Sequence, residues 1–390
     1  MFKQSRLLEM QTIKQYFIPL DMKRPGSFIL LLFLFLPALN FRMTSAPSAR
    51  PYKTDSPPVQ NFKPSIHSMN GESPSLYVAD GRIHIVFVTG DSIFYAYSTN
   101  RGRSFTVPSV VAVLQGLIHA GGRGPQITGT NGELVIAAPD KSGNFYTYLK
   151  DKTDNRWKKG ARINDVTNTA KEGFISLAAN FRGDIFAVWL DLRDGGRNNI
   201  YGSASKDGGK TWMKNRLIYK SPDGSVCECC KPAIAMKEQQ VAVMFRNNLK
   251  GNRDLYLIQS KDGGTTFGTA QKLGQGSWKI NGCPMDGGGL VIDSSGKIQT
   301  VWRREDNIYT DRPGEREVLV GMGMKCTIDN TNGGSYVLYL YQGKTYCHKP
   351  DGSKIELGPG AGYPTMKSLD KSSILCAWEY NKKIYSAILN

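Results

Sequence analysis

Two short segments carry most of the side chains able to bind a soft metal or close a disulfide. Cys227-Glu228-Cys229-Cys230 offers three sulfurs in four residues, and Cys283-Pro284-Met285-Asp286 adds a thiol and a thioether. Thiolate and thioether ligands select Cu(I); the same sulfurs with His119 would suit tetrahedral zinc. The candidate metal set is therefore Cys227, Cys229, Cys230, Cys283, Met285 and His119. In an oxidising compartment such cysteines pair instead. Neighbouring Cys229 and Cys230 are poorly placed to bridge each other, so the expected bridge joins Cys227 or Cys229 to Cys283. Both readings stand. Cys347 and Cys376 lie in apolar runs and read as buried small residues.

A second group is cationic. Arg123 follows His119-Ala-Gly-Gly, Arg193 and Arg197 share the stretch WLDLRDGGRNN with Asp191 and Asp194, Arg246 and Arg253 flank RNNLKGNRD, and Arg303 and Arg304 open RREDN. A guanidinium is a planar fork that matches a carboxylate or sulfate bidentately, so several on one surface suit an anionic ligand.

The elements that must position these residues are strands. The chain has 42 Gly, and its Val, Ile, Tyr, Phe and Trp come in short runs split by Asn-Gly, Asp-Gly and Gly-Gly, with almost no helical period. That pattern predicts an all-β protein. One motif recurs: Ser98-Thr-Asn100-Arg-Gly102-Arg-Ser104-Phe105, Ser205-Lys-Asp207-Gly-Gly209-Lys-Thr211-Trp212 and Ser260-Lys-Asp262-Gly-Gly264-Thr-Thr266-Phe267, with a worn copy from Lys150 to Trp157. The first Ser positions lie 107 residues apart, two steps of about 54, and the next 55 further on, a period that signals propeller blades. Hairpin runs starting at Ile83, Leu134, Ile185, Val241, Ile298, Tyr336 and Ile374 favour seven four-stranded antiparallel blades, with six possible if the last two sets are one. The last set lacks its outer strand, which an N-terminal strand at about Val59 to Pro64 is expected to supply, closing the ring.

Naming the strands of a blade A to D from the axis outward sorts the candidates by face. Strands A and C run the same way, so the D–A and B–C loops open on one face and the A–B and C–D turns on the other. The D–A loops contain His67, His119, Arg123, Glu172, the Cys227–Cys230 run, Cys283, Met285 and Tyr363, and the B–C loops supply Asp191 and the remaining Arg. All should meet at one mouth, where a propeller places its site.

Charge and length bound the partners. The 390 residues carry a formal charge of +17. Phe28 to Leu39 is apolar but too short to span a bilayer; it follows Lys23 and Arg24 and precedes Thr44-Ser45-Ala46, the order of a secretory signal. Residues 1–49 thus read as an upstream extension plus signal peptide, with Met22 the better start, and residues 50–390 as a single domain. Residues 1–49 hold six basic and two acidic side chains, so the mature chain keeps +13. A basic secreted or periplasmic protein meets acidic glycans or other anionic polymers rather than nucleic acid, for which no basic run interleaved with aromatics is seen. A monomer without a transmembrane segment is expected.

The repeated Ser-x-Asp-x-Gly-x-Thr-Trp pattern is the Asp-box, or BNR repeat, and the chain resembles the sialidase superfamily of β-propellers. The Cys-Glu-Cys-Cys and Gly-Cys-Pro-Met-Asp segments are also similar to those of a bacterial sialidase-like subgroup. The resemblance implies an Arg clamp on a substrate carboxylate, a Tyr nucleophile activated by Glu, and an Asp acid. In place of the family's Phe-Arg-Ile-Pro, the first D–A loop reads IHSMNGESPS. On the implied face the roles would fall to Arg123, Arg193, Arg246 and Arg303 as clamp, Tyr363 as nucleophile, Glu172 as its base and Asp191 as acid. Three functions follow as expectations: an exo-sialidase-type glycoside hydrolase or an altered relative, a copper- or zinc-binding propeller, and a non-catalytic glycan-binding module.

Overall fold

The computed structural model describes residues 59–60, 67–130, 132–150 and 156–390. The expected signal segment and start at Met22 lie outside them. The described residues form strands and turns without a helix, arranged as seven four-stranded antiparallel blades. Blade 1 runs Glu72–Ala79, Arg82–Thr89, Ser92–Ser98 and Ser109–Val113, and blade 2 runs Gln126–Thr130, Glu133–Pro139, Phe145–Lys150 and Lys158–Arg162. Blades 3 to 6 repeat the order from Ile175, Ala233, Gly289 and Met324. The A strands touch in sequence, and blade 7 (Thr365–Ser368) touches blade 1 again, so the ring closes.

The apolar runs that flagged the B strands reflect burial on both faces. Successive side chains of a strand point opposite ways. In blade 1, Ile83, Ile85 and Phe87 pack toward blade 7, while Val86 and Val88 pack toward blade 2. The same division gives one apolar cluster between each pair of neighbouring blades. Cys347 and Cys376 are fully buried in the cluster between blades 6 and 7, as their apolar setting predicted.

The Asp-boxes are turn staples on the C–D side. In the copy at Ser205, Oγ donates to Asp207 Oδ1 at 2.8 Å and accepts the Gly209 N–H at 2.8 Å, while Asp207 accepts the Thr211 N–H at 2.9 Å and hydroxyl at 2.6 Å. The copies at Ser98 and Ser260 repeat the Ser–Asx, Gly and Ser/Thr bonds. Gly209 needs its positive φ of 86°, and a Cβ there would sit 2.7 Å from Val135 of blade 2, so the box also docks on the preceding blade.

Ring closure differs from expectation in its residues. The N-terminal strand that completes blade 7 is His67–Asn70, antiparallel to Lys383–Leu389 with His67 opposite Ser386 and Asn70 opposite Lys383. Val59–Gln60 instead pairs in parallel with Lys354 and Ile355 at the rim of blade 6. Val59–Gln60 is thus not the closing strand, since its partner is the outer strand of blade 6 rather than Lys383–Leu389; residues 61–64 of the expected segment lie outside the described residues. His67 is thereby a strand residue of the rim, not a loop residue of the mouth.

Candidate functional site

The starts of all seven A strands line one cavity of about 410 Å³ on the axis. It opens on the D–A face, where His119, Arg123 and Tyr363 reach its wall together with Lys231, Asp286, Lys325 and Glu379. The D–A loops of blades 2 and 7 meet there: a Cβ on Gly122, whose φ is 83°, would lie 3.1 Å from the Tyr363 ring.

Lys231 is the group whose charge is least compensated. Its Nζ donates to Gln126 Oε1 at 2.6 Å, and among the described residues no carboxylate pairs with it. Burial pulls its pKa down to about 8. Lys325 donates to the Ala361 carbonyl at 2.7 Å and lies 5.1 Å from the Tyr363 ring centroid. Burial lowers it too, against the pull of Asp286 and Glu379. Glu379 accepts the Ser73 N–H at 2.8 Å. Asp286 is buried; Oδ2 accepts the Lys325 N–H at 2.6 Å and Oδ1 has no partner. Burial raises its pKa, opposed by the Arg246 guanidinium.

Of the proposed catalytic trio only Tyr363 lines the cavity, and each of the three bonds to other partners. The Tyr363 hydroxyl donates to the Met285 carbonyl, and burial with the nearby Asp286 charge raises its pKa, which disfavours a phenolate. Glu172 accepts from Asn198 at 3.3 Å and pairs with Arg123 at 3.7 Å. Asp191 is fully buried outside the cavity wall. It accepts the Trp189 indole N–H at 2.7 Å and the Arg193 Nε and Nη2 at 2.9 and 2.8 Å, which leaves it a structural anchor for its corner.

Of the four clamp candidates, only Arg123 lines the cavity. It stacks 4.1 Å over Phe174 and donates to the Glu172 carbonyl at 2.5 Å. Arg193 is spent on Asp191 and, at 2.8 Å, Asp165. Arg246 is 1% exposed and donates to the carbonyls of Asp286, Arg253 and Arg303. Arg303 turns to the Glu305 carbonyl and to Asp306. B–C loops do open on the predicted face, but a guanidinium that can satisfy backbone carbonyls in a tight corner does so before it reaches the axis.

The sulfur residues divide. Cys229 and Cys283 form a disulfide between the loops leading into blades 4 and 5, Cα to Cα 6.2 Å, one of the pairings expected. Cys227 and Cys230 are free thiols beside it. The three sulfurs of Cys227, Cys229 and Cys230 form one buried cluster, which His119 does not join. Met285 is 43% exposed. Arg253 Nη1 lies 3.1 Å from Cys227 Sγ and its guanidinium pairs with Glu228 at 3.1 Å. Contact with the Cys230 thiol and the Arg253 guanidinium pushes Cys227 down, while burial and the Cys227 sulfur push Cys230 up.

Sequence reasoning passed over Lys231, Asp286, Lys325, Glu379 and Gln126. Lys231 directly follows one of the segments read for sulfur and Asp286 ends the other, where they were outweighed by rarer residues; Lys325 carries no local signal. Glu379 ends a B strand, and Gln126 follows Gly-Pro at the head of an A strand; neither carries a local signal.

Seven blades, three of them stapled by Asp-boxes, around a polar axial mouth define a BNR-type β-propeller. A family profile described as BNR repeat-like domain matches residues 65–277, more than half of the chain, and the protein belongs to that family. No curated protein matches by sequence. Among solved structures it is similar to a polysaccharide lyase, an ulvan lyase bound to -[GlcA(1-4)Rha3S]- (11% identity, 84% of this chain and 94% of that one, TM-score 0.51). It is also similar to virginiamycin B lyase from Staphylococcus aureus (14% identity, 83% and 99%, TM-score 0.51). NanB sialidase from Streptococcus pneumoniae aligns with 14% identity over 85% of this chain and 71% of that one, at TM-score 0.41. At such identities the likeness is one of fold.

Proposed function

We propose that the axial mouth recognises an acidic saccharide, with Lys231 as the group that meets its carboxylate or sulfate. One observation carries this: an ammonium in the cavity wall whose partner is an amide oxygen and with which, among the described residues, no carboxylate pairs. A cation held this way is destabilised until an anion arrives, so a ligand anion gains more here than at a solvated lysine. Lys325 adds positive charge and the Tyr363 ring supplies an apolar face. The engagement of Tyr363, Glu172 and Asp191 by other partners favours recognition over hydrolysis through a tyrosine nucleophile. We further place the protein outside the cytoplasm, secreted or periplasmic, on the basic–apolar–small order of residues 23–46; the N-terminal sequence of an exported fraction tests this.

Calorimetry with sialyllactose, glucuronate-containing oligosaccharides and neutral oligosaccharides of equal length is the test. Acidic sugars should bind, neutral ones should not, and Lys231→Met should weaken the acidic ligand at least tenfold. Equal binding of neutral sugars, or unchanged affinity in Lys231→Met, would remove the assignment. Release of sialic acid that Tyr363→Phe abolishes would restore the hydrolase reading.

A further inference from the structure

Behind the Lys231 side of the mouth lies a set of sulfurs that saccharide recognition does not use. Cys227 is fully buried, Cys230 2% exposed and Cys229 8% exposed. Their Sγ atoms form a triangle with sides of 3.5, 3.6 and 3.9 Å. A thiolate ligand sits about 2.3 Å from its metal, so three sulfurs around one trigonal ion stand about 4 Å apart. The triangle is within about half an ångström of that size on every side. Donors already face it: Arg253 Nη1 is 3.1 Å from Cys227 Sγ, and the Asp286 N–H points at Cys230 Sγ at 3.4 Å. Such outer contacts orient and stabilise thiolate ligands. Cys283, the other half of the bridge to Cys229, is exposed.

We infer that Cys227, Cys229 and Cys230 form a three-thiolate site for Cu(I), closed while Cys229 is bonded to Cys283 and opened by reduction of that bridge. In the disulfide form the triangle holds only two thiols. A small dithiol reductant can approach the bridge from the side of Cys283, the exposed partner. Its thiolate attacks Cys283 Sγ, forms a mixed disulfide there and expels Cys229 as a thiolate into the buried triangle. The reductant's second thiol then attacks its own sulfur, frees Cys283 as a thiolate that takes up a proton, and leaves as a cyclic disulfide. The exchange moves two electrons from the dithiol to the bridge. Cu(I) then displaces the remaining protons from the three sulfurs. A soft monovalent ion fits because the ligands are all sulfur, and the Arg253 and Arg246 guanidinium groups offset the excess negative charge.

The test uses the whole protein without any saccharide, so its failure is separate from that of the mouth's reading. The anaerobically reduced chain, freed of reductant, is titrated with Cu(I) against a chromophoric Cu(I) chelator, and X-ray absorption reports the coordinating atoms. One equivalent bound by three sulfurs is expected, with binding at least 100-fold weaker in the unreduced protein and in Cys227→Ser/Cys230→Ser. Cys283→Ser cannot form the bridge and should bind Cu(I) without prior reduction, which keeps the test decisive should the double variant fail to fold. Equal Cu(I) affinity in oxidised and reduced protein would overturn the proposal. So would a site that binds only zinc and is lost in Cys283→Ser, since that is a four-cysteine site of a different kind.

Discussion

At the scale of single residues, the same chemistry serves two ends according to what surrounds it. Asp191 and Arg193 were attractive as acid and clamp, but they satisfy each other and Trp189 in a sealed corner. Removing Asp191 leaves Arg193 to Asp165 but takes the acceptor from the buried Trp189 indole N–H, so Asp191→Ala should cost about 1–3 kcal/mol in chemical denaturation. Lys231 is the opposite case. Its pKa of about 8 lies below that of a solvated lysine, so the charged form is lost as pH rises through that value. Affinity for an acidic saccharide should therefore fall from about pH 8 upward in calorimetry. A lysine of ordinary pKa would hold the ligand to about pH 10, and a flat profile between those limits would deny Lys231 the role.

Among the elements, the Asp-box shows how much local chemistry is legible without coordinates. Asp or Asn accepting from its own turn, glycine at positive φ and an aromatic beneath the hairpin were all readable from the spacing. The serine hydroxyl that donates to the carboxylate and accepts the glycine N–H was not, because Ser98, Ser205 and Ser260 resemble any strand-ending serine. Gly209→Ala should destabilise the fold by about 1–3 kcal/mol, since it combines left-handed strain with a Cβ pressed on Val135. Thermal unfolding of that variant beside Asp207→Ala checks whether box and neighbour act together: coupled effects that fail to add are expected for groups in one network. The B–C corners were legible in place but not in partners. Their arginines lay on the predicted face, yet hydrogen bonds to carbonyls, which sequence does not display, decide whether a guanidinium reaches the axis.

For the whole molecule, the blade count, the shared face of the D–A loops and closure by an N-terminal strand follow from periodicity and from the missing outer strand of the last set. The exact closing residues did not, because four residues reading His-Ser-Met-Asn lack the alternating apolar pattern of a buried strand. They need none: the strand lies on the rim, where Met69 packs against the cluster between blades 7 and 1. Its contribution comes from the ladder it completes along Lys383–Leu389 and from joining the two chain ends of the ring. A chain beginning at Gly71 should therefore leave Lys383–Leu389 as an open edge, unfold at lower temperature and aggregate, as unpaired edges do. If connectivity rather than the N-terminal segment itself is what matters, moving His67–Asn70 behind Asn390 through a short glycine linker should restore stability. The order His67 opposite Ser386 and Asn70 opposite Lys383 is already that of a strand returning from the end of the chain, the arrangement every other blade uses. Recovery of the midpoint and of monodisperse scattering in the permuted chain is the expected result. Persistent aggregation despite the transplanted strand would mean that residues preceding His67 contribute to closure as well.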